Sequence, residues 1–230
     1  MAYVTQSNRL LKRAGWLLPI VGLALSTVLP SATATVLTRE ATATQVISQI
    51  PVKGRAPKTG YSRAQFGAAW ADVDHNGCDT RNDILKRDLT AIVFRVGTHD
   101  CVVLTGILHD PYSGNEIKFT RGIRTSRAVQ IDHVVSLSNA WQTGAFKFTL
   151  EQRTFFANDP LNLLAVEGKL NSQKSDGDAA TWLPPLKSYR CAFVARQVAV
   201  KAKYGLWMTP PEEGAIAQIL KTCPDQALPK

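Results

Sequence analysis

AVQIDHV at residues 128–134, NDPLNLLAV at 158–166 and LNSQKSD at 170–176 together set the architecture expected of this chain. The first is a short strand with Val129 and Ile131 on one face, running into Asp132-His133. The second is a turn followed by an apolar strand that opens at Asn162. The third lies in a helical stretch, Glu167 to Ser175, where Asn171 and Lys174 stand at i and i+3 and so share a face. An Asp-His pair alone carries little weight, since the chain has another at Asp74-His75. Its weight comes from the company: two strand ends and one helix face that can converge on a point. Neighbouring strand residues point to opposite faces. Asp132 and His133 can therefore serve one group only where the backbone leaves strand geometry, as a strand terminus allows.

Upstream, Ala91 to Val96 and Cys101 to Leu108 are apolar and β-branched, and Asp110 to Asn115 reads as a turn. Glu116 to Thr120 returns as the second arm of a hairpin. Arg121, Arg124 and Arg127 then precede the Asp-His strand. They are candidates for contact with a nucleic-acid backbone, with a solvated strand face as the equal alternative. Asn139 to Phe156 reads as helical, and Trp141, Phe146, Phe148, Phe155 and Phe156 read as core rather than as a base-stacking platform.

Asp72 to Asp83 (DVDHNGCDTRND) fits D-x-D-x-N-G-x5-D, the oxygen-ligand spacing of a twelve-residue Ca²⁺ loop. Asp72, Asp74, Asn76, Cys78 and Asp83 are the candidate ligands of a structural Ca²⁺. The flanks Ser62 to Trp70 and Asp83 to Leu89 read as helical. Asp at position twelve has a shorter arm than the usual Glu. A helix-capping turn rich in Asp and Asn is the alternative.

The N-terminus reads as a secretory signal peptide over residues 1–34. Arg9, Lys12 and Arg13 form a basic start, Ala14 to Leu29 an apolar core, and Ala32-Thr33-Ala34 a small-x-small cleavage pattern. The apolar core is 16 residues long, short of the roughly 20 that span a bilayer, so no stable membrane association is expected after cleavage. Residues 35–60 read as a flexible linker, and the folded domain as 61–230. The whole chain of 230 residues carries a formal charge of +9, with 45% hydrophobic and 20% charged residues. That balance excludes a wholly disordered chain, and no period marks a repeat array, coiled coil or collagen. Removing the signal peptide leaves 196 residues at +6.

Export makes the four cysteines candidates for disulfides, with three possible pairings. Cys191 lies near the start of one helical stretch, Ser188 to Tyr204, and Cys223 ends another, Glu212 to Leu220. In an antiparallel helix pair those ends are neighbours. Cys191–Cys223 is therefore the expected bond, leaving Cys78–Cys101. No C-x2-C pair supports a zinc site.

IDHVV, DPLNLLAV and LNSQKSD together resemble the ββα-metal core of the His-Asn-His (HNH) endonuclease superfamily. Within it, the chain is similar to secreted actinobacterial proteins that share the C-terminal nuclease domain of Gmr-type modification-dependent restriction enzymes. The resemblance is strongest over residues 128–185 and extends more loosely over Tyr61 to Cys223. Its last ligand position holds Asn171, where many members have His and some branches have Asn. The resemblance implies an α+β fold with a ββα core, and His133 as the general base that takes a proton from water. It further implies Asp132 and Asn171 as ligands of one divalent metal, Asn162 as the residue fixing the loop that carries His133, and Lys174 as a phosphate contact. Asp and Asn are hard oxygen ligands suited to Mg²⁺ or Mn²⁺, and neutral imidazole is a suitable base near pH 7. The expectation is an exported, monomeric, metal-dependent endonuclease with an N-terminal helix and hairpin region and a disulfide-linked C-terminal helix pair. Its substrate is expected to be DNA rather than RNA, cut with little sequence preference. The rival is a calcium-stabilised, non-enzymatic extracellular or cell-envelope binding protein.

Overall fold

The computed structural model describes residues 41–229. The signal peptide expected over 1–34 and the first residues of the expected linker lie outside the described residues. Among the described residues no helix is long and apolar enough to cross a membrane.

Helix α1 (Ala43–Ile47) is closed by a capping box between Thr42 and Gln45. Ala43, Ile47 and Ile50 are buried in one cluster with Phe193, Val194, Val198, Ile216 and Leu220. The stretch read as a flexible linker is thus packed from Thr42 onward, which corrects the expected domain start at Tyr61. Apolar residues at 43, 47 and 50 fall on one helical face (i, i+4, i+7), a signal that the polar, Pro- and Gly-punctuated composition around them masks.

The helix expected over Ser62 to Trp70 is reduced to a 3₁₀ turn at Arg63–Phe66. Gly67 ends it at φ 78°, and a Cβ there would collide with the side chain of Thr154. Helix α2 (Thr80–Asp88) starts on an Asp79 side-chain cap. Strands β1 (Leu89–Phe94), β2 (Val103–His109) and β3 (Glu116–Thr120) follow as an antiparallel sheet in that order. Next comes β4 (Val129–His133), then α3 (Leu137–Gln142) and α4 (Leu150–Asn158) as an insertion, then β5 (Leu163–Glu167) and α5 (Gly168–Lys174). Helices α6 (Arg190–Lys203) and α7 (Pro210–Leu220) complete the α+β fold.

Strands β4 and β5 pair antiparallel, with Asp132 opposite Leu164 and His133 opposite Leu163. Helix α5 begins directly after β5, which gives β-β-α order. The hairpin is buried on both sides. Val129, Ile131, Leu163 and Ala165 pack with Leu85, Leu108 and Phe119 of α2 and the larger sheet. Leu164 and Val166 pack with Phe193, Val194 and Val198 of α6. Alternation along a strand therefore sends Asp132 toward α5 and α6, and His133 toward α4 and the segment around Trp70.

Both expected disulfides are present. Cys78–Cys101 ties the loop before α2 to the β1–β2 connection, and Cys191–Cys223 ties the start of α6 to the end of α7. Along α6, Val194, Gln197, Val198 and Lys201 recur at i, i+3, i+4 and i+7 and are all buried. The lysine is tolerated there because its Nζ lies 2.7 Å from Glu212 of α7 and donates to the Trp207 carbonyl.

Candidate active site

Asp132 is buried and receives two hydrogen bonds. The Tyr112 hydroxyl donates to Oδ2 at 2.6 Å, and the Lys174 ammonium donates to Oδ1 at 2.9 Å. Lys174 also donates to the His133 carbonyl at 2.9 Å, and its side chain is fully buried. This corrects the expected phosphate contact. The turn of α5 that carries Lys174 faces β4, so the ammonium neutralises Asp132 beneath the site and is not presented to a substrate. Tyr112 was legible only as part of a turn. Its phenol is held well above the ordinary value by burial and by Asp132, so it remains a donor to that carboxylate.

His133 ends β4. Its Nε2 lies 2.9 Å from the Ala157 carbonyl oxygen. That oxygen can only accept, so Nε2 carries the proton and Nδ1 is the ring's acceptor in the neutral form. Trp70 stacks on the ring at 6.1 Å between centroids and 17° between planes. Burial pulls the His133 pKa down to about 4, against the opposing pull of the Ala157 carbonyl and Asp132; Arg63 and Lys174 add to the lowering. An NMR titration of the His133 ring protons is expected to show a midpoint near 4 rather than near 6.5. Between those values the unfolded chain binds more protons at this position than the folded one. This residue's contribution to stability therefore falls as pH drops through that window and levels off below about 4.

Asn162 is buried at the start of β5. Its Oδ1 accepts the Val135 N–H at 2.8 Å, its Nδ2 donates to the Val135 carbonyl at 3.2 Å, and its own carbonyl accepts the Val134 N–H at 2.8 Å. The side-chain amide thus acts as a strand partner for the backbone immediately after His133. Asn171, half-buried on α5, donates its Nδ2 to Gln130 Oε1 of β4 at 2.9 Å, and its Oδ1 has no donor among the described residues. Asp132, His133, Gln130 and Asn171 all border one cavity of about 400 Å³, together with Arg63 and Arg81.

The family of GmrSD restriction endonucleases, C-terminal domain, matches residues 79–219. The chain belongs to this family. An uncharacterized secreted protein of Arthroderma benhamiae is 36% identical over 201 residues, covering 86% of this chain and 93% of that one. No solved structure matches the chain. The residues matched to the GmrSD C-terminal domain contain Asp132, His133, Asn162 and Asn171, and membership assigns the chain to a nuclease family. Arg63 and Trp70, which complete the cavity, precede the matched span.

Arginines border the site of this GmrSD C-terminal domain, but not those expected. Arg121 donates from Nε to the Val103 carbonyl at 2.6 Å and from Nη2 to Asn82 at 2.5 Å, so it ties the sheet to α2. Arg124 and Arg127 are exposed and do not border the cavity. Arg63 and Arg81 do, and no spacing in the sequence announces them. Arg63 stands on a turn that only the tertiary fold brings to β4. Arg81 sits on α2, with its guanidinium 6.0 Å from the Trp70 ring centroid.

In the calcium-like loop the side chains are drawn together by hydrogen bonds. Asn76 Nδ2 donates to Asp74 at 3.0 Å and to Asp83 at 3.2 Å, and Asp72 accepts the Gly77 N–H at 2.9 Å. Burial together with Asp74, Asp79 and Asp72 raises the Asp83 pKa, which the Asn76 bond opposes. Among the described residues no group of three or more His, Cys, Asp or Glu side chains is arranged to hold a metal ion.

Proposed function

We propose that the mature chain is a secreted, monomeric endonuclease that hydrolyses phosphodiester bonds in DNA with little sequence preference, assisted by one divalent metal. The observation that carries this reading is the state of His133. It is a buried, neutral imidazole with its Nε2 proton committed to a backbone carbonyl, leaving one acceptor nitrogen, at a cavity that it shares with an acid and an amide oxygen.

The donor set fits a metal that keeps most of its own water. Mg²⁺ or Mn²⁺ needs only one or two protein carboxylates, with water and phosphate completing the shell. Asp132 would supply a carboxylate oxygen and Asn171 its Oδ1. Lys174 shares Asp132 with any such ion, so a weakly held metal is expected. When bound, the ion would supply charge stabilisation to the phosphate oxygens. The contacts described support the following part for the protein's own residues. His133 takes the proton of the attacking water at Nδ1, and the Ala157 carbonyl holds its ring. Asn162 locks the backbone behind it, and Arg63 and Arg81 supply positive charge at the mouth for the phosphate backbone.

Secretion is supported by the two disulfides and by the secreted relative, together with the signal pattern in the sequence. In a plasmid-degradation assay the purified mature protein is expected to cut with Mg²⁺ or Mn²⁺ and to stop with EDTA. Asn171→Ala is expected to raise the metal concentration needed for half-maximal rate about 10- to 100-fold, an effect of the size seen on weakening a metal's protein shell. A protein that melts at a higher temperature with Ca²⁺ yet cuts neither DNA nor RNA would instead be the calcium-stabilised binding module.

A further inference from the structure

Beside the cavity that holds Asp132 and Asn171 lies a second, smaller one of about 220 Å³. The two share Arg63, Trp70, His133 and Leu137 as common wall. Away from that wall the second cavity is bordered mainly by Phe66, three alanines at 64, 68 and 69, Ala157 and Asn158. It is thus an apolar recess opening next to the imidazole of His133, with a single guanidinium at the junction. The Arg63 side chain makes no hydrogen bond or ion pair with another described residue.

One residue bordering the recess carries a buried polar atom with no mate among the described residues. Asn158 is 1% exposed; its Nδ2 donates to the Thr154 carbonyl at 2.9 Å, while its Oδ1 is buried without a hydrogen-bond partner among the described residues. Buried acceptors are almost always satisfied, and an exception asks for a reason. The recess is smaller than the roughly 300–1,000 Å³ typical of sites for drug-sized ligands, which suits a single heterocycle.

We propose that this recess is a nucleobase pocket, which takes the base of the nucleotide next to the scissile phosphate. The inference rests on the nuclease reading above and deepens it. A strand whose phosphate lies in the larger cavity carries bases one sugar away, and the neighbouring apolar recess is reached across Arg63, whose charge matches the backbone between the two. A base seated there must leave its stack, which costs a few kcal/mol, least where it is unpaired. The enzyme is therefore a better catalyst on single-stranded or mismatched DNA than on perfect duplex. With its side chain turned toward a seated base, the Asn158 Oδ1 that is otherwise buried without a partner accepts from an exocyclic amino group, so adenine, cytosine and guanine are preferred to thymine at that one position.

The test uses fluorescent single-stranded oligonucleotides in which an abasic residue is walked along the sequence, with bis(p-nitrophenyl) phosphate as a diester that has no base. An abasic residue at one fixed position relative to the cut is expected to raise KM about 10-fold. Ala69→Phe, and independently Ala68→Leu, fill the recess from its exposed rim. They should produce the same rise, abolish any further abasic effect, and leave hydrolysis of the base-free diester and the melting temperature unchanged. Asn158→Ala should erase the discrimination against thymine. Equal cleavage of all abasic substrates, or equal damage by Ala69→Phe to both substrate types, overturns the pocket while leaving the nuclease intact. If the wild-type protein hydrolyses neither substrate, the nuclease reading fails. The pocket is then judged by calorimetric titration with nucleoside 5′-monophosphates against ribose 5-phosphate. Binding of the nucleotides alone, lost in Ala69→Phe, supports it, and equal or absent binding overturns it.

Discussion

His133→Ala is expected to lower the rate of the proposed DNA hydrolysis by about two to four orders of magnitude, the range a positioned general base contributes. The size follows from how the ring is prepared. Burial holds it neutral far below pH 7, and the Ala157 carbonyl decides which nitrogen is left to accept a proton. The alanine variant also loses the packing of Trp70 on the ring and leaves the Ala157 carbonyl unpaired. Its melting temperature must therefore be recorded beside its rate, and the rate read at a temperature where both proteins are folded. Unchanged cleavage by a folded His133→Ala protein sinks the proposed chemistry.

Lys174→Met is expected to destabilise the fold by about 3–5 kcal/mol, the usual result of removing one member of a buried ion pair. Asp132 would keep its bond from Tyr112 but lose the only cation within salt-bridge distance among the described residues, and the His133 carbonyl would lose its donor as well. Urea unfolding at pH 7 measures the loss directly. A lysine that served only to contact phosphate would show the opposite pattern: unchanged stability and a raised KM. The two readings of Lys174 are thus separated by one denaturation curve and one saturation curve.

Much of this site is visible in the primary structure because it is built from local order. The strands β3, β4 and β5 and the helix α5 follow from short-range alternation and helical spacing, whereas the pairing of β4 with β5 across the α3–α4 insertion was implied only by the resemblance to the ββα core. The two disulfides follow from placing Cys191 and Cys223 at neighbouring helix ends. What stayed hidden depends on long-range encounters. Tyr112 reaches Asp132 from a turn 20 residues earlier, and nothing in Asp-Pro-Tyr-Ser-Gly marks the hydroxyl as a carboxylate partner. Lys174 was placed on the correct helix face, but helical spacing says nothing about whether that face meets solvent or β4. The arginine series 121, 124 and 127 had regular spacing and a suggestive position, yet hydrogen-bonding demand at the sheet edge claimed Arg121 for structure. The positive charge at the site comes instead from Arg63 and Arg81, in segments whose only shared property is proximity after folding. Helix α1 was missed because five residues of helix lie in a stretch whose average composition is that of a tether.

The packing of α1 also dictates when the molecule can finish folding. Thr44 of α1 donates its hydroxyl to the Pro224 carbonyl, 180 residues later, and the Ala43 N–H meets the Gln226 carbonyl at 2.8 Å. The cluster beneath them joins the first described helix to the last two. A chain emerging from its N-terminus therefore holds Ala43, Ile47 and Ile50 without their partners until α6 and α7 have appeared. The seam between α1 and the segment that follows α7 closes only once residues 224–226 have been made. A polypeptide threaded through a membrane while still growing would remain open along that seam, and would become a closed body only on the far side.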